Sequence, residues 1–229
     1  YALSTYALNY EAIADAGKLD VTGFTDGCIN NIPGLPTASI TTELFWDIDA
    51  DKTWTALHTI GTTGQVSILP QGGTTGYDAV TMPFVSINFN PHASPSEAIK
   101  CGSILFDNYG TGTGLEFGDV LYHGTITTST TGTGVLDVTN AAATAYCGAV
   151  LHIWTASTSD TYAIKVQDSA DDSTYNDLLS FTLDGSAVNA ERVVVASGSI
   201  DKYRRIVATR TGSAGNTLGL TVIFYRGPN

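Results

Sequence analysis

Alternating apolar and polar residues run through Ala38-Ser39-Ile40-Thr41-Thr42-Glu43-Leu44-Phe45-Trp46. This period of two, rich in β-branched and aromatic residues, is typical of a strand with one buried face. Short polar turn sequences separate similar runs, as they do in antiparallel sheets. The sequence therefore predicts an all-β fold, an antiparallel β-sandwich or a partial barrel. The other predicted strands lie within residues 84–89, 101–106, 135–138, 150–154, 162–167, 192–195, 203–208 and 218–225.

One short helix is predicted at about residues 94–100. Ser94 is a suitable N-cap, Pro95 suits the first helical position, and Glu97 lies three residues after the cap. The stretch 61–76 places glycine and threonine on both sides of an apolar run at 66–69. We expect a projecting loop or hairpin there, and its lack of charge suits contact with a neighbouring subunit.

The length of 229 residues suits one large β domain or two small ones. Composition changes at residues 109–114, where glycine alternates with threonine, and similar residues return at 131–134. We predict a first β domain over residues 1–114, which holds the loop and the helix. A second β-sandwich-like domain is predicted over residues 115–229, with the boundary between 110 and 135.

Charge is sparse and mostly negative. Charged residues make up 14% of the chain and the formal net charge is −12. Residues 1–114 contain eleven acidic side chains and three lysines, whereas residues 115–229 contain eleven acidic and seven basic side chains. Tight nucleic-acid binding depends on neutralising phosphates, so the sequence argues against it. A polymer such as DNA would be repelled by this surface and left free to slide.

The sequence lacks the arrangements that nucleophilic catalysis uses. No G-x-S-x-G motif is present, and the histidines have no paired spacing, so we expect them to be structural or surface residues. We predict no catalytic residue, no cofactor and no enzyme activity. The four histidines are His58, His92, His123 and His152.

Asp47, Asp49 and Asp51 begin like a calcium-binding loop, because alternate carboxylates can converge on one cation. The sixth position is Lys52 rather than glycine, and the twelfth is His58 rather than glutamate. We interpret this stretch as a solvated turn and predict no metal site. Residues 168–173, which contain three aspartates, are interpreted in the same way.

Other features have two interpretations. The tryptophans Trp46, Trp54 and Trp154 suit a β core, but aromatic faces also bind sugars, so a carbohydrate-binding module is an alternative function. The late basic cluster forms either a solvated face or an electrostatic contact with the acidic first half of another subunit. This cluster consists of Lys202, Arg204, Arg205, Arg210 and Arg226.

The three cysteines, Cys28, Cys101 and Cys147, have neither a C-x-x-C nor a zinc-like spacing. An odd number cannot all pair within the chain, so we expect buried free thiols. No apolar run reaches the roughly 18 residues that a membrane-spanning helix requires, and no membrane partner is predicted.

Two parts of the chain resemble the tail tube proteins of long-tailed, siphovirus-like bacteriophages. In that family a D-V-T-x-F strand leads to an I-P-G-L turn and then to a strand ending in W-D. Here Asp20-Val21-Thr22-Gly23-Phe24, Ile32-Pro33-Gly34-Leu35 and the strand that ends at Trp46-Asp47 match that order. Residues 161–173 and 203–205 resemble the later part of longer members.

The resemblance implies a virion structural protein that is made in the host cytoplasm. It implies six copies to a ring, rings stacked into a tail tube, and an electronegative lumen through which DNA passes without specific binding. Its partners would be copies of itself and other tail proteins. A capsid decoration protein or a fibre- or baseplate-associated β-sandwich is an alternative in the same class. Particle shape distinguishes the two possibilities: isolated trimers would favour a decoration protein, and rings or tubes a tail tube protein.

Overall fold

The computed structural model describes residues 7–15, 18–21, 31–33, 37–47, 57–93, 99–107, 114–136, 143–144, 147–195, 199–213 and 215–226. These residues form strands joined by turns, and every pairing whose register is described is antiparallel. The predicted all-β, antiparallel fold is confirmed. The strands are β1 (Ala7–Asp15), β2 (Lys18–Asp20), β3 (Asn31–Pro33), β4 (Thr37–Phe45), β5 (Thr63–Ile68), β6 (Asp78–His92), β7 (Lys100–Asp107), β8 (Glu116–Ile126), β9 (Thr130–Thr131), β10 (Val135–Leu136), β11 (Ala143–Thr144), β12 (Cys147–Thr155), β13 (Thr161–Ser169), β14 (Asn176–Ser180), β15 (Asn189–Val195), β16 (Ser199–Ile200), β17 (Tyr203–Thr211) and β18 (Leu218–Arg226).

The chain divides into two compact units. The N-terminal unit contains Leu3–Gly64 and Met82–Leu115, and the main segments of the C-terminal unit are Gln65–Thr81 and Glu116–Asn229. The division differs from the predicted ranges 1–114 and 115–229 in the segment Gln65–Thr81, which belongs to the C-terminal unit. The reason lies in the packing of this segment, described below.

The C-terminal unit is a β-sandwich. One sheet has the order β8-β18-β12-β15, with the first residues of β6 beside β8, and the other has the order β10-β17-β13-β14. Alternate residues of β13, such as Tyr162, Ile164 and Val166, face the first sheet and are buried. They pack with residues of the opposite sheet such as Leu151 and Val222. Burial of these apolar faces is the main stabilising contribution to the unit.

The segment 65–77 covers the other face of the first sheet. Leu69 packs against Ala79, Val120 and Ile223, and the Gly76 N–H donates to the Val120 carbonyl oxygen at 2.8 Å. Of the predicted loop or hairpin at 61–76, the structure has the hairpin, because strand β5 pairs with β6. The hairpin does not project as predicted, because its turn is held against β8. The apolar run 66–69 is long enough to pair as a strand, and burial of Leu69 favours a folded-back position over a projecting one.

The N-terminal unit has the strand order β1-β4-β7-β6, where β6 contributes its residues from Met82 onward. Strands β2 and β3 form a separate pair. The register places Ile40 opposite Leu105 and Leu44 opposite Cys101, and these four side chains are buried. The alternation from which this strand was predicted therefore identifies the buried face correctly.

The predicted helix at 94–100 lies mostly outside the described residues, and Lys100 at its end begins strand β7. Cys101 and Cys147 are buried free thiols, as predicted, and Cys28 lies outside the described residues. Within the described part of the chain, no helix has the length and apolar composition needed to cross a membrane.

Candidate assembly surface

Strand β1 is an edge strand with one described neighbour. It pairs with β4 over most of its length, with a bulge between Ala7 and Asn9, and it ends the strand order of its sheet. All nine of its residues are exposed. A strand at the end of a sheet presents unpaired backbone N–H and C=O groups, which can pair with a strand of another chain.

One face of β1 continues the buried face of β4. Opposite residues of an antiparallel pair share a face, and Ala12 lies opposite Ile40 and Ala14 opposite Ala38. Ile40 and Ala38 are buried, whereas their partners on β1 are exposed. Tyr10, on the same face, is 46% exposed. The apolar face of the sheet thus extends one strand beyond the part that is covered.

The opposite face of β1 is acidic. Glu11 and Asp15 project from it, opposite Thr41 and Thr37 of β4. Ile13, which is 46% exposed, lies between the two carboxylates on the same face. Among the described side chains, no lysine or arginine forms an ion pair with either carboxylate. This edge therefore combines an apolar face with a negatively charged one.

The end strands of the C-terminal unit are better protected. The carboxylate of Glu191 on β15 accepts hydrogen bonds from the backbone N–H groups of Thr182 and Leu183, at 2.8 Å each, so the chain after β14 lies against β15. Strand β14 carries Asp177, whose carboxylate binds Lys165 at 2.7 Å. Charged side chains and covering loops are common means of blocking sheet edges. Strand β1 carries two carboxylates, Glu11 and Asp15, but no segment among the described residues covers its outer edge.

The basic cluster predicted from the sequence is used inside the C-terminal unit. Arg204 is buried, its Nη2 lies 3.5 Å from Asp119, and its guanidinium lies over the Phe224 ring. Arg210 binds the buried Asp160 at 2.9 Å. The hypothesis of a solvated face is wrong for these two arginines, and so is that of a patch free to contact another subunit, because buried ion pairs already engage them.

The other members of the cluster lie nearer the surface. Arg205 stacks on the Tyr175 ring at 3.7 Å, Lys202 is exposed near Tyr203, and Arg226 is partly exposed. On β17, Arg204 points inward, whereas its neighbours Tyr203 and Arg205 are partly exposed.

The four histidines lie apart and have different partners. His58 and His92 are exposed, and the latter lies 3.3 Å from Glu43. His123 bonds with Thr221 at 2.8 Å, and His152 with Ser67 at 2.7 Å. Burial lowers the pKa of His152 to about 4, so its ring is neutral at pH 7.

The acidic stretches of the sequence have different outcomes. Asp49 and Asp51 lie outside the described residues, and so does Trp54. Asp168 is buried at the end of β13, so the predicted solvated turn is wrong for that residue. In the turn that follows β13, the Asp171 carboxylate accepts hydrogen bonds from the backbone N–H groups of Thr174 and Ser173, at 2.9 Å each, and these hold its pKa well below the usual range. This carboxylate caps its own turn. Among the described residues, no three His, Cys, Asp or Glu side chains are grouped so that they could hold a metal ion.

The two described tryptophans contact other rings. Trp46 lies 5.7 Å from Phe89, and Trp154 lies 5.9 Å from His123, measured between ring centroids. Both tryptophans are partly buried. These contacts fit the structural interpretation of the aromatic residues better than a flat sugar-binding platform does.

Strand β1 was not among the strands predicted from the sequence. Its alanines and Glu11 favour a helix by propensity. Ile13 also interrupts the alternation of Leu8, Tyr10, Ala12 and Ala14 with polar residues. Counting matches to a period of two from residue 7 onward is the signal that could have found it.

No protein-family model matches the chain, and no curated protein matches it either. Among solved structures, the chain is similar to the Dit (gp 19.1) protein of SPP1, described as a paradigm of the hub adsorption apparatus in phages that infect Gram-positive bacteria. The two are 11% identical, the similarity covers 97% of this chain and 95% of that one, and the TM-score is 0.29. A TM-score this low carries no argument about function.

Proposed function

We propose that this chain is a structural subunit of a bacteriophage tail, with no enzymatic activity, and that it acts by assembling with other protein chains. The observation that carries the proposal is the state of β1, whose nine residues are all exposed at a sheet edge that no described segment covers. Such an edge is an aggregation hazard in a protein that works alone. It is useful in a subunit whose edge another strand covers.

The finer form of the proposal is a tail tube protein: copies form rings, the rings stack, and DNA passes through the lumen. Its support is the resemblance of residues 19–47 and 161–205 to that family. The net charge of −12 is compatible with a channel that repels DNA and does not retain it. The alternative in the same class is a capsid decoration or fibre- or baseplate-associated protein.

The absence of catalysis belongs to the proposal as well. Its support is the separation of the four histidines, each with its own local partner, and the engagement of the buried Asp160 and Glu116 in ion pairs with arginine. Neither carboxylate is placed beside a histidine among the described hydrogen bonds.

Negative-stain electron microscopy of the purified chain over a wide concentration range tests the finer form. We expect rings of uniform diameter that stack into hollow tubes at high concentration, and sedimentation should give a mass that is a fixed multiple of 24.0 kDa. Particles that remain monomeric at all concentrations would count against the tube, and isolated trimers would favour the decoration protein.

A further inference from the structure

The chemistry of the β1 edge indicates what kind of strand can cover it. An added strand would place its side chains directly opposite those of β1, about 4.5–5.5 Å away between Cβ atoms. On one face it would meet Tyr10, Ala12 and Ala14, and on the other Glu11 and Asp15. Apolar side chains suit the first face, and opposite charges suit the second.

Another copy of β1 is a poor partner. Strand β1 has no basic residue, so two copies side by side would place four carboxylates along the new pair. Like charges on neighbouring strands destabilise a sheet. The net charge of −12 adds a general repulsion between copies.

The other long end strands of a second copy are no better suited. Strand β5 lies off the strand order, pairs with β6 among the described strands and carries no charged residue. Among the other described strands of five or more residues, β14 and β15 are the remaining ends of strand orders. Each carries a carboxylate, Asp177 and Glu191. The one cation on them, Arg192, is held by two contacts to Glu116 and is largely buried. Among the described strands of five or more residues, no end strand therefore offers a free positive charge to Glu11 and Asp15.

We propose that the β1 edge binds an extended segment of a different protein, one that alternates apolar with basic side chains. This inference rests on the proposed function only in that another chain must cover β1. If copies of this chain also form rings, other surfaces join them. The partner is defined by its charge pattern: apolar residues opposite Tyr10, Ala12 and Ala14, and lysine or arginine opposite Glu11 and Asp15.

Two synthetic nine-residue peptides test the charge pattern. In both peptides every second residue is charged, and the residues between are valine or threonine. The charged residue is lysine in one peptide and glutamate in the other. Fluorescence anisotropy of the labelled peptides with the full wild-type chain should show about tenfold tighter binding of the lysine peptide, because two cross-strand pairs change from repulsive to attractive. The preference should weaken as salt is raised. Equal binding of the two peptides, or binding of neither, would overturn the inference.

Charge reversal provides the matched variant. The double substitution Glu11→Lys and Asp15→Lys changes two exposed side chains and leaves the described core untouched. We expect this variant to prefer the glutamate peptide, with circular dichroism unchanged. An unchanged preference for lysine would place the peptide elsewhere on this acidic protein.

Proline substitutions separate this inference from the proposed function. Successive backbone N–H groups of a strand point to opposite sides. Of the substitutions Ala12→Pro and Ile13→Pro, one therefore removes a donor on the open edge of β1, called the outward donor, and the other removes a donor that faces β4. The outward substitution should abolish peptide binding without unfolding the chain, and rings or tubes seen without peptide should persist. If rings are lost in both folded variants, a second copy occupies β1, and the inference fails while the assembly proposal stands. If rings never form but the lysine peptide binds selectively, the tube proposal fails and the inference stands.

Discussion

Strands β1 and β18 each have nine residues, yet their surroundings are opposite. Every residue of β1 is exposed, whereas the first eight residues of β18 are buried. Strand β18 lies between β8 and β12, one of its faces packs on the second sheet, and segment 65–77 covers the other. Among the described residues, strand β1 has a neighbour on one side, and both of its faces are exposed. Position in the sheet therefore decides which strand forms the core and which is left for another chain.

The largest expected effect comes from breaking a buried ion pair beside β18, the covered strand. Arg192 Nε lies 3.1 Å from Glu116 Oε2, its Nη2 contacts Oε1, and its guanidinium lies near the Tyr225 ring of β18. Glu116→Ala leaves the Arg192 charge buried without its partner. We expect a loss of about 3–5 kcal/mol in the free energy of unfolding, measured by urea denaturation.

The double variant Glu116→Ala with Arg192→Met is the control for that experiment. It removes both charges, so it should recover a large part of the lost stability, because burying an ion pair already costs desolvation. A single variant that loses less than about 1 kcal/mol would mean that water reaches the guanidinium and that this end of the sheet is open.

The second test compares the same substitution on the two strands. Leu220 on β18 is fully buried, whereas Leu8 on β1 is 41% exposed. Leu220→Ala should lower the free energy of unfolding by about 2–5 kcal/mol, since it leaves a cavity in the packed core. Leu8→Ala should change it by less than about 0.5 kcal/mol. A similar loss for both, in parallel urea titrations, would show that β1 is covered in solution.

The third test concerns the layer over the sheet that contains β18. His152 on β12 bonds with Ser67 of β5 at 2.7 Å, and burial lowers its pKa from 6.5 to about 4. In the unfolded chain this ring gains a proton as the pH falls through 6.5, but in the folded chain it stays neutral until about pH 4. The contribution of the neutral His152 ring to the free energy of unfolding is therefore fully present above pH 6.5. It declines by about 2–3 kcal/mol between pH 6.5 and 4.

His152→Gln removes that titration and keeps a hydrogen-bonding side chain. Unfolding by urea at pH 7.0, 5.5 and 4.5 should show a steeper loss of stability for the wild type than for the variant, and the difference isolates this ring from the carboxylates. Parallel curves would mean that His152 is accessible to protons in the folded chain and that β5 does not shield it.

The sequence predicted β4, β12, β13, β17 and β18 well. It did not predict β1 or β8, and it predicted the position of residues 61–76 poorly. Alternation identified the buried side of β4 because Ala38, Ile40 and Leu44 all face one core. It could not show that β18 is buried on both faces, because that depends on a segment some 140 residues earlier in the chain. It also could not show that Arg204 is buried, since the Phe224 ring and Asp119 that receive it lie on other strands.

The same limits apply to the candidate surface. The resemblance to tail tube proteins predicted an assembling protein, and the charge distribution predicted an acidic first half. Neither predicted which element is left uncovered. The helix propensity of its residues made β1 hard to recognise as a strand. The lack of charge in residues 61–76 led to the prediction that this stretch contacts a neighbouring subunit. The cover over β18 is made by apolar contacts of Leu69 and by glycine turns whose partners are distant in sequence.

The smallest expected effect tests whether the glycine turn of 65–77 is held down on its sheet. Gly72 and Gly73 both have positive φ, 72° and 79°, so alanine at either position costs about 1 kcal/mol in backbone strain. A Cβ at Gly73 would lie 2.6 Å from the His123 ring, whereas one at Gly72 would meet nothing within 4 Å. A hydrogen bond with Thr221 of β18, at 2.8 Å, restrains the His123 ring.

We therefore expect Gly73→Ala to lower the free energy of unfolding by about 1 kcal/mol more than Gly72→Ala does. Equal losses would show that this turn stands away from the sheet in solution, and β18 would then be covered on one face like an ordinary strand.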